Sequence, residues 1–256
     1  MRYRCTENCQ GAHTVLCQIG IMKSLVIIPA YNESDSIAWT VNQLKKDAPD
    51  FDYLVINDCS TDNTLEICRE NGFPVLNLPV NLGIGGAVQT GYMYASVFGY
   101  DICVQLDGDG QHDAGFLNEM RDMLTDEGLD MVIGSRFIEK KGFQSTGARR
   151  TGIKYISRLL KRTTGVYISD PTSGMRMINR RTIELFAKNY PREYPEPESL
   201  AMIIRNGYKV GEKAVVMRCR QGGKSSISPL KSVYYMIRVS ISIIMEKFRK
   251  ADKTND

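Results

Sequence analysis

The chain has 256 residues, 43% of them hydrophobic, which is enough to bury a substantial core and too apolar for overall intrinsic disorder. Its net charge of +4 conceals a split: 7 Lys/Arg stand against 19 Asp/Glu through Ser135, and 26 against 10 beyond it. An acidic half followed by a basic half turns the basic half toward something anionic: a nucleotide phosphate, a lipid head group, a membrane surface or nucleic acid.

Residues 1–21 show no periodicity and no apolar core long enough for a signal peptide. Met22-Lys23 followed by SLVIIPA reads as the natural start, so residues 1–21 are expected to be a dispensable extension. Their three cysteines, Cys5, Cys9 and Cys17, lack the partners of a zinc site, and with no CxxC pair in the chain reduced thiols are the default. From Ser24, short β-branched runs alternate with longer amphipathic segments, the pattern of a mostly parallel sheet covered by helices. Strands are expected at Leu25 to Pro29, Tyr53 to Asn57, Pro74 to Leu78, Asp101 to Leu106 and Asp130 to Gly134. Helices are expected between them at Ser34 to Ala48, Asp62 to Asn71, Ile84 to Phe98 and Ala114 to Asp126. Ser34 and Asp62 can cap the first two, and Gly72 can supply the left-handed residue that ends the second. The second half is less regular: a basic helical stretch from Arg149 to Thr163, a polar loop SDPTSG from Ser169, and strands near Met175 to Ile178 and Lys209 to Met217.

Open parallel sheets bind ligands beyond the carboxyl ends of their strands. The polar motifs fall there: PAYNE after the first strand, NDCS after the second, NLGIGG after the third and DGD after the fourth. In QLDGDGQHD, Gly108 lets the backbone turn so that Asp107 and Asp109 can address a metal and a substrate together, with Gln111 as a further oxygen. Such oxygen ligands suit Mg²⁺ or Mn²⁺ shared with substrate phosphates. An acidic turn that merely ends a strand is the plain alternative, and His112 can pack as readily as ligate. The glycines of NLGIGGAVQTG follow the third strand, not the first, which disfavours a dinucleotide fingerprint and favours a tight turn with close helix packing.

Taken in order, PAYNE, NDCSTDNT, NLGIGGA, QLDGDGQH, GSRF, SDPTSGMR and RQGGKSS resemble the motifs of family 2 glycosyltransferases of the GT-A fold. The likeness is greatest to dolichyl- or polyprenyl-phosphate hexosyltransferases and related bacterial polysaccharide enzymes. It implies an α/β GT-A (nucleotide-diphospho-sugar transferase) domain over residues 22–227; the pattern of the tail itself reads as a basic amphipathic helix and tail over 228–256. It implies that Pro29, Ala30, Tyr31 and Glu33 hold the nucleotide base and ribose, and that Asp58 bonds the base; Asn81, at the head of the glycine stretch, is placed to touch a ligand. Asp107, Asp109 and Gln111 match the metal and donor-phosphate motif; Arg136, Arg149 or Arg150 match basic positions near the phosphates; Arg220 and Ser225 match a later R-x-x-G-x-S element. Asn57 in place of a second acid, Cys59 in place of Gly, Ala114 in place of Pro and Ser226 in place of Lys depart from the pattern.

The expected reaction is inverting transfer of a hexose from a UDP- or GDP-linked sugar to a polyprenyl phosphate or a growing glycan. A hydroxyl acceptor requires a base, for which YPEPESL offers Glu196 and Glu198; the resemblance points to Glu198, which can also serve the N-terminus of a helix from Ser199 to Arg205. The tail's apolar run from Val233 to Met245, broken by Arg238, is short of a membrane span and suits an anionic membrane surface, a partner helix or the core. The expected setting is therefore cytoplasmic, peripheral to the membrane, with no nucleic-acid partner and with a homo-oligomer left open. A non-catalytic nucleotide-sugar-binding scaffold is the alternative from another class. A sugar nucleotidyltransferase would need a glycine-rich loop where PAYNE stands.

Overall fold

The computed structural model describes residues 22–139, 147–218 and 229–248. The dispensable extension expected at residues 1–21, and Arg220 and Ser225, expected to bind substrate, lie outside the described residues. The first half runs β1 (Ser24–Ala30), α1 (Ile37–Asp47), β2 (Asp52–Asn57), α2 (Thr64–Glu70), β3 (Val75–Asn77), α3 (Gly83–Val97) and β4 (Ile102–Gln105). A single 3₁₀ turn (Ala114–Phe116) then leads into α4 (Leu117–Asp126) and β5 (Met131–Ser135). The second half adds α5 (Gly147–Thr164), β6 (Arg176–Asn179), α6 (Arg180–Lys188), α7 (Pro195–Arg205), β7 (Val210–Ala214) and α8 (Pro229–Phe248).

The seven strands form one sheet in the order β3-β2-β1-β4-β6-β5-β7, parallel except for β6. Every residue of β1 is buried because both faces of the sheet are covered, which is why its sequence is an unbroken apolar run. Successive side chains part to the two faces: Leu25 and Ile27 join one core with Tyr92, Phe186 and Leu200, while Val26 and Ile28 join the other with Val41, Leu117 and Met120.

Local chemistry sets several boundaries. Gly72 takes φ +65° after α2, and Asp62 accepts the Thr64 N–H at 3.0 Å, as their residue types imply. Ser34 does not cap α1, which starts three residues later; its N–H goes instead to Asp62 Oδ2 at 3.1 Å. Helix α7 starts at Pro195 and not at Ser199, since proline's fixed φ and missing N–H suit the first helical turn. Helix α6 is an addition to the expected elements. It begins where the Asn179 side chain accepts the Thr182 N–H at 3.0 Å.

The NLGIGGA glycines serve packing. Gly83 sits at φ +73°, and a Cβ on Gly85 would lie 2.3 Å from the Arg192 carbonyl oxygen, so α3 meets the approach to α7 backbone to backbone. Among the described residues no helix is long and apolar enough to cross a membrane.

Candidate active site

With β6 antiparallel, its N-terminal end lies at the same sheet edge as the carboxyl ends of the other strands. Gln105 at the end of β4 pairs with Arg176 at the start of β6. Six segments converge there: the loops after β1, β2, β3, β4 and β5, and the SDPTSG loop that enters β6.

The first three loops are stitched together by side chains. Asn32, at φ +57°, accepts the Thr61 N–H at 2.8 Å, its own N–H donates to Ser60 Oγ, and the Glu33 N–H donates to Thr64 Oγ1. Buried Asp58 donates its N–H to Ala30 O and accepts the Leu82 N–H on Oδ1 at 2.7 Å, while Asn81 Nδ2 donates to Asp58 O. Pro29, Ala30, Tyr31, Glu33, Asp58 and Asn81 thus lie in one connected wall, with the Tyr31 ring largely open to solvent. The DGD turn closes against it: a Cβ on Gly108 would lie 3.1 Å from Pro29 O, and Thr40 Oγ1 donates to Gly108 O.

The two central carboxylates are held at known atoms. Gln105 Nε2 donates to Asp107 Oδ1 at 3.0 Å, and the Gln111 N–H donates to Asp109 Oδ1 at 3.0 Å. Asp109 is buried, whereas 37% of the Asp107 side chain is open. Gly174 presses on Asp107 from the β6 side, where an added Cβ would sit 3.1 Å from both carboxylate oxygens. Among the described residues no group of three or more His, Cys, Asp or Glu side chains could hold a metal by itself. Two carboxylates that need substrate oxygens and water to complete a shell fit Mg²⁺ or Mn²⁺, which keep open positions for phosphates.

Other expected site residues are placed differently. Arg136 is buried and locked in a two-pronged pair with Asp170, Nε to Oδ2 at 2.6 Å and Nη2 to Oδ1 at 2.7 Å, so it braces the SDPTSG loop. Glu212 of β7 braces the other end of that loop, accepting the Ser169 and Asp170 N–H groups. Arg149 opens α5 within electrostatic reach of Glu196 and Tyr235; Arg150, partly buried, follows it around the helix.

The structure does not bring Glu198 to the Asp107 group. Its carboxyl faces α8, where Ser242 bonds it and Glu246 lies near; burial chiefly raises its pKa, and the Ser242 hydrogen bond opposes that. The acid that meets the site is Glu196. Burial raises its pKa most, Arg176 and Arg149 oppose the rise, and the Asp107 charge adds to it. Residues two apart on a helix point about 200° apart, so one of this pair must turn away from the sheet edge.

Two contributors escape sequence reasoning. Arg176, 1% exposed, donates to Ser173 O, Pro171 O, Glu196 O and Ser199 Oγ, tying the SDPTSG loop to α7. Arg218, following β7, donates its N–H to Gln111 O at 2.9 Å, and its guanidinium pairs with Asp113 at 3.0 Å. Asp113 also accepts the Gly115 N–H, which makes it a brace of the turn's exit. The basic SGMR motif was a visible signal for Arg176; nothing in the local sequence marks Arg218.

The family model for glycosyl transferase family 2 matches residues 25–186. An undecaprenyl-phosphate mannosyltransferase of Micrococcus luteus is 30% identical over 216 residues, covering 81% of this chain and 88% of that protein. A polyprenol monophosphomannose synthase of Mycolicibacterium smegmatis is 28% identical over 216 residues, covering 80% and 81%. Among solved structures, glucosyl-3-phosphoglycerate synthase from Mycobacterium tuberculosis, with Mn²⁺, UDP and glucosyl-3-phosphoglycerate bound, is similar at TM-score 0.64 and 20% identity, covering 88% of this chain and 80% of that one. The fold is the one shared by such GT-A glycosyltransferases, and the chain belongs to glycosyl transferase family 2.

Proposed function

We propose that the chain transfers a hexose, with inversion, from a UDP- or GDP-linked sugar to a polyprenyl phosphate or a growing glycan, using Mg²⁺ or Mn²⁺. The observation that carries this reading is the pair Asp107 and Asp109, each fixed by a hydrogen bond, at the end of β4 where six segments converge. Asp107, Asp109 and Gln111 would hold the cation, which when bound neutralises charge that develops on the leaving diphosphate. The wall from Pro29 to Glu33 with Asp58 would seat the nucleoside, Asn81 would lie beside it, and Arg149 would face the acceptor side. The names of the relatives favour a lipid phosphate as acceptor, and the Mn²⁺ and UDP in the neighbouring structure favour a metal-bound nucleotide.

A lipid acceptor agrees with the outer surface. Tyr234, Ile237, Ile241, Ile244 and Met245 form an exposed apolar stripe on α8. Helix α5, which packs on α8 through Gly152 and Met236, exposes Lys154, Arg158, Lys161 and Arg162. An apolar stripe together with exposed basic side chains suits an anionic lipid surface.

The test is thermal stabilisation by UDP- and GDP-sugars with Mn²⁺, followed by transfer to polyprenyl phosphate in anionic and neutral vesicles. One nucleotide class should raise Tm, and the chain should float with anionic vesicles. Indifference to every nucleotide with Mn²⁺ would refute the donor reading.

The two acids separate the acceptor classes. A phosphate acceptor is already anionic and needs no base, whereas a hydroxyl must lose a proton. For a hydroxyl acceptor, Glu196→Gln is expected to slow transfer about a hundredfold or more and Glu198→Gln to change it little. Because the pKa of Glu196 is raised, its basic form is lost as pH falls through a value above the ordinary 4.5, so the acid limb of the rate should lie above that point. Loss on Glu198→Gln alone would return the role to Glu198.

A further inference from the structure

We infer that His112 is a positioning residue that sets the shape of the metal-binding turn, an inference that rests on the proposed role of Asp107 and Asp109. The parallel ladder along β4 makes its last bond at Leu106, whose N–H donates to Ile27 O at 3.0 Å. The next N–H, that of Asp107, has left the ladder and donates to His112 Nδ1 at 3.0 Å. The imidazole is buried, so without it this amide would be short of an acceptor where water has little access.

The same ring lies beside the carboxylate: Nε2 is 3.7 Å from Asp107 Oδ2, beyond hydrogen-bond reach, so the contact that shapes the turn is the one at Nδ1. Asp107 is therefore held at two points: its N–H by His112 Nδ1 and its Oδ1 by Gln105 Nε2. The residues between, Gly108 to Gln111, have no regular ladder to hold them. Gly110 sits at φ +74°, and the turn depends on Thr40 to Gly108 O, Gln111 N to Asp109 Oδ1 and Arg218 N to Gln111 O. His112 closes the turn from inside, joining its last residue to its first. In this position it orients the two ligating carboxylates without itself reaching the cation.

Asparagine and glutamine separate the two ring nitrogens. Asn places an oxygen where Nδ1 lies and keeps the acceptor for the Asp107 N–H. Gln reaches the Nε2 position and leaves that N–H without its acceptor. Phe fills the volume and offers neither. The measurement is Mn²⁺ affinity of the full chain with UDP, and separately with GDP, from the electron paramagnetic resonance of free Mn²⁺, with Tm recorded for each variant. His112→Phe and His112→Gln should weaken Mn²⁺ about ten- to a hundredfold, and His112→Asn should stay within about threefold of wild type.

A residue that only filled space would lower Tm in the Phe variant and leave the Mn²⁺ affinity of the folded fraction unchanged; that result overturns the inference. So does an Asn variant as weak as the Gln variant, which decides the matter even if the Phe variant does not fold. A wild-type chain that takes up no Mn²⁺ with either nucleotide sinks the metal reading and this inference together. Wild-type uptake with unaffected His112 variants sinks the positioning role alone.

Discussion

Asp109→Asn is expected to reduce metal-dependent transfer, and metal-dependent hydrolysis of the donor, by about a hundred- to a thousandfold while the fold survives. Asn keeps an oxygen that can accept the Gln111 N–H, which Asp109 Oδ1 accepts at 3.0 Å, so the turn retains its brace. What disappears is one unit of negative charge at a residue only 4% exposed, where the surroundings screen it less than water would. On the proposed reading, loss of that charge would weaken the hold of the turn on a cation, whose chemistry when bound would be to compensate charge on the leaving diphosphate. The measurement is steady-state transfer with Mn²⁺ varied, alongside a melting curve. A shift in Tm of no more than about 3 °C would separate loss of chemistry from loss of fold. Undiminished metal-dependent activity would overturn the site.

Arg176→Met should have the largest effect on stability. The side chain it replaces is buried, and its guanidinium donates to Ser173 O at 2.8 Å, Pro171 O at 2.8 Å, Glu196 O at 2.6 Å and Ser199 Oγ at 2.9 Å. Methionine fills similar space but leaves the Ser173 and Pro171 carbonyls short of a donor, each costing about 1–3 kcal/mol before relaxation, while Glu196 O keeps the Ser199 hydroxyl as its donor. Allowing for relaxation, a net loss of about 3–5 kcal/mol lowers Tm by roughly 6–20 °C in a chain of this size. Activity should fall as well, because the loop released is the one whose Gly174 lies against Asp107. Lysine should rescue little, since a single ammonium cannot span acceptors on both the SDPTSG loop and α7. A Tm unchanged in the Met variant would show that the network is not what joins them.

The sequence made β1 to β5 legible within a residue or two because the central strands β1, β4 and β5 are buried on both faces and so read as short apolar runs, while β2 and β3 show as short runs between polar ends. It also placed the four motif loops on one edge, since parallel strands joined by helices have no other way to bring their ends together. The reversal of β6 was not legible: Met175 to Ile178 reads as a strand in either direction, and only pairing with Gln105 on one side and Met131 on the other fixes it. That reversal has a direct consequence for the site, because it carries the SDPTSG loop, and with it Gly174, to the edge where Asp107 stands.

Arg136 and Glu198 show the same limit at single residues. GSRF marks a basic group near a strand end, but the partner that claims it, Asp170, is 34 residues away. YPEPESL offers two acids two positions apart, and the sequence cannot say which one a helix starting at Pro195 turns toward β4. The sequence by itself determined the alternation of elements, the sheet edge that collects the loops and the carboxylate pair at its centre, since these follow from local periodicity and turn chemistry. Only the tertiary structure decided the direction of β6, the burial of Arg176 beneath the sheet edge, and that Glu196 and not Glu198 lies within electrostatic reach of Asp107. Each of these depends on which distant segment supplies the hydrogen bonds and the low-dielectric surroundings, and that is settled by packing.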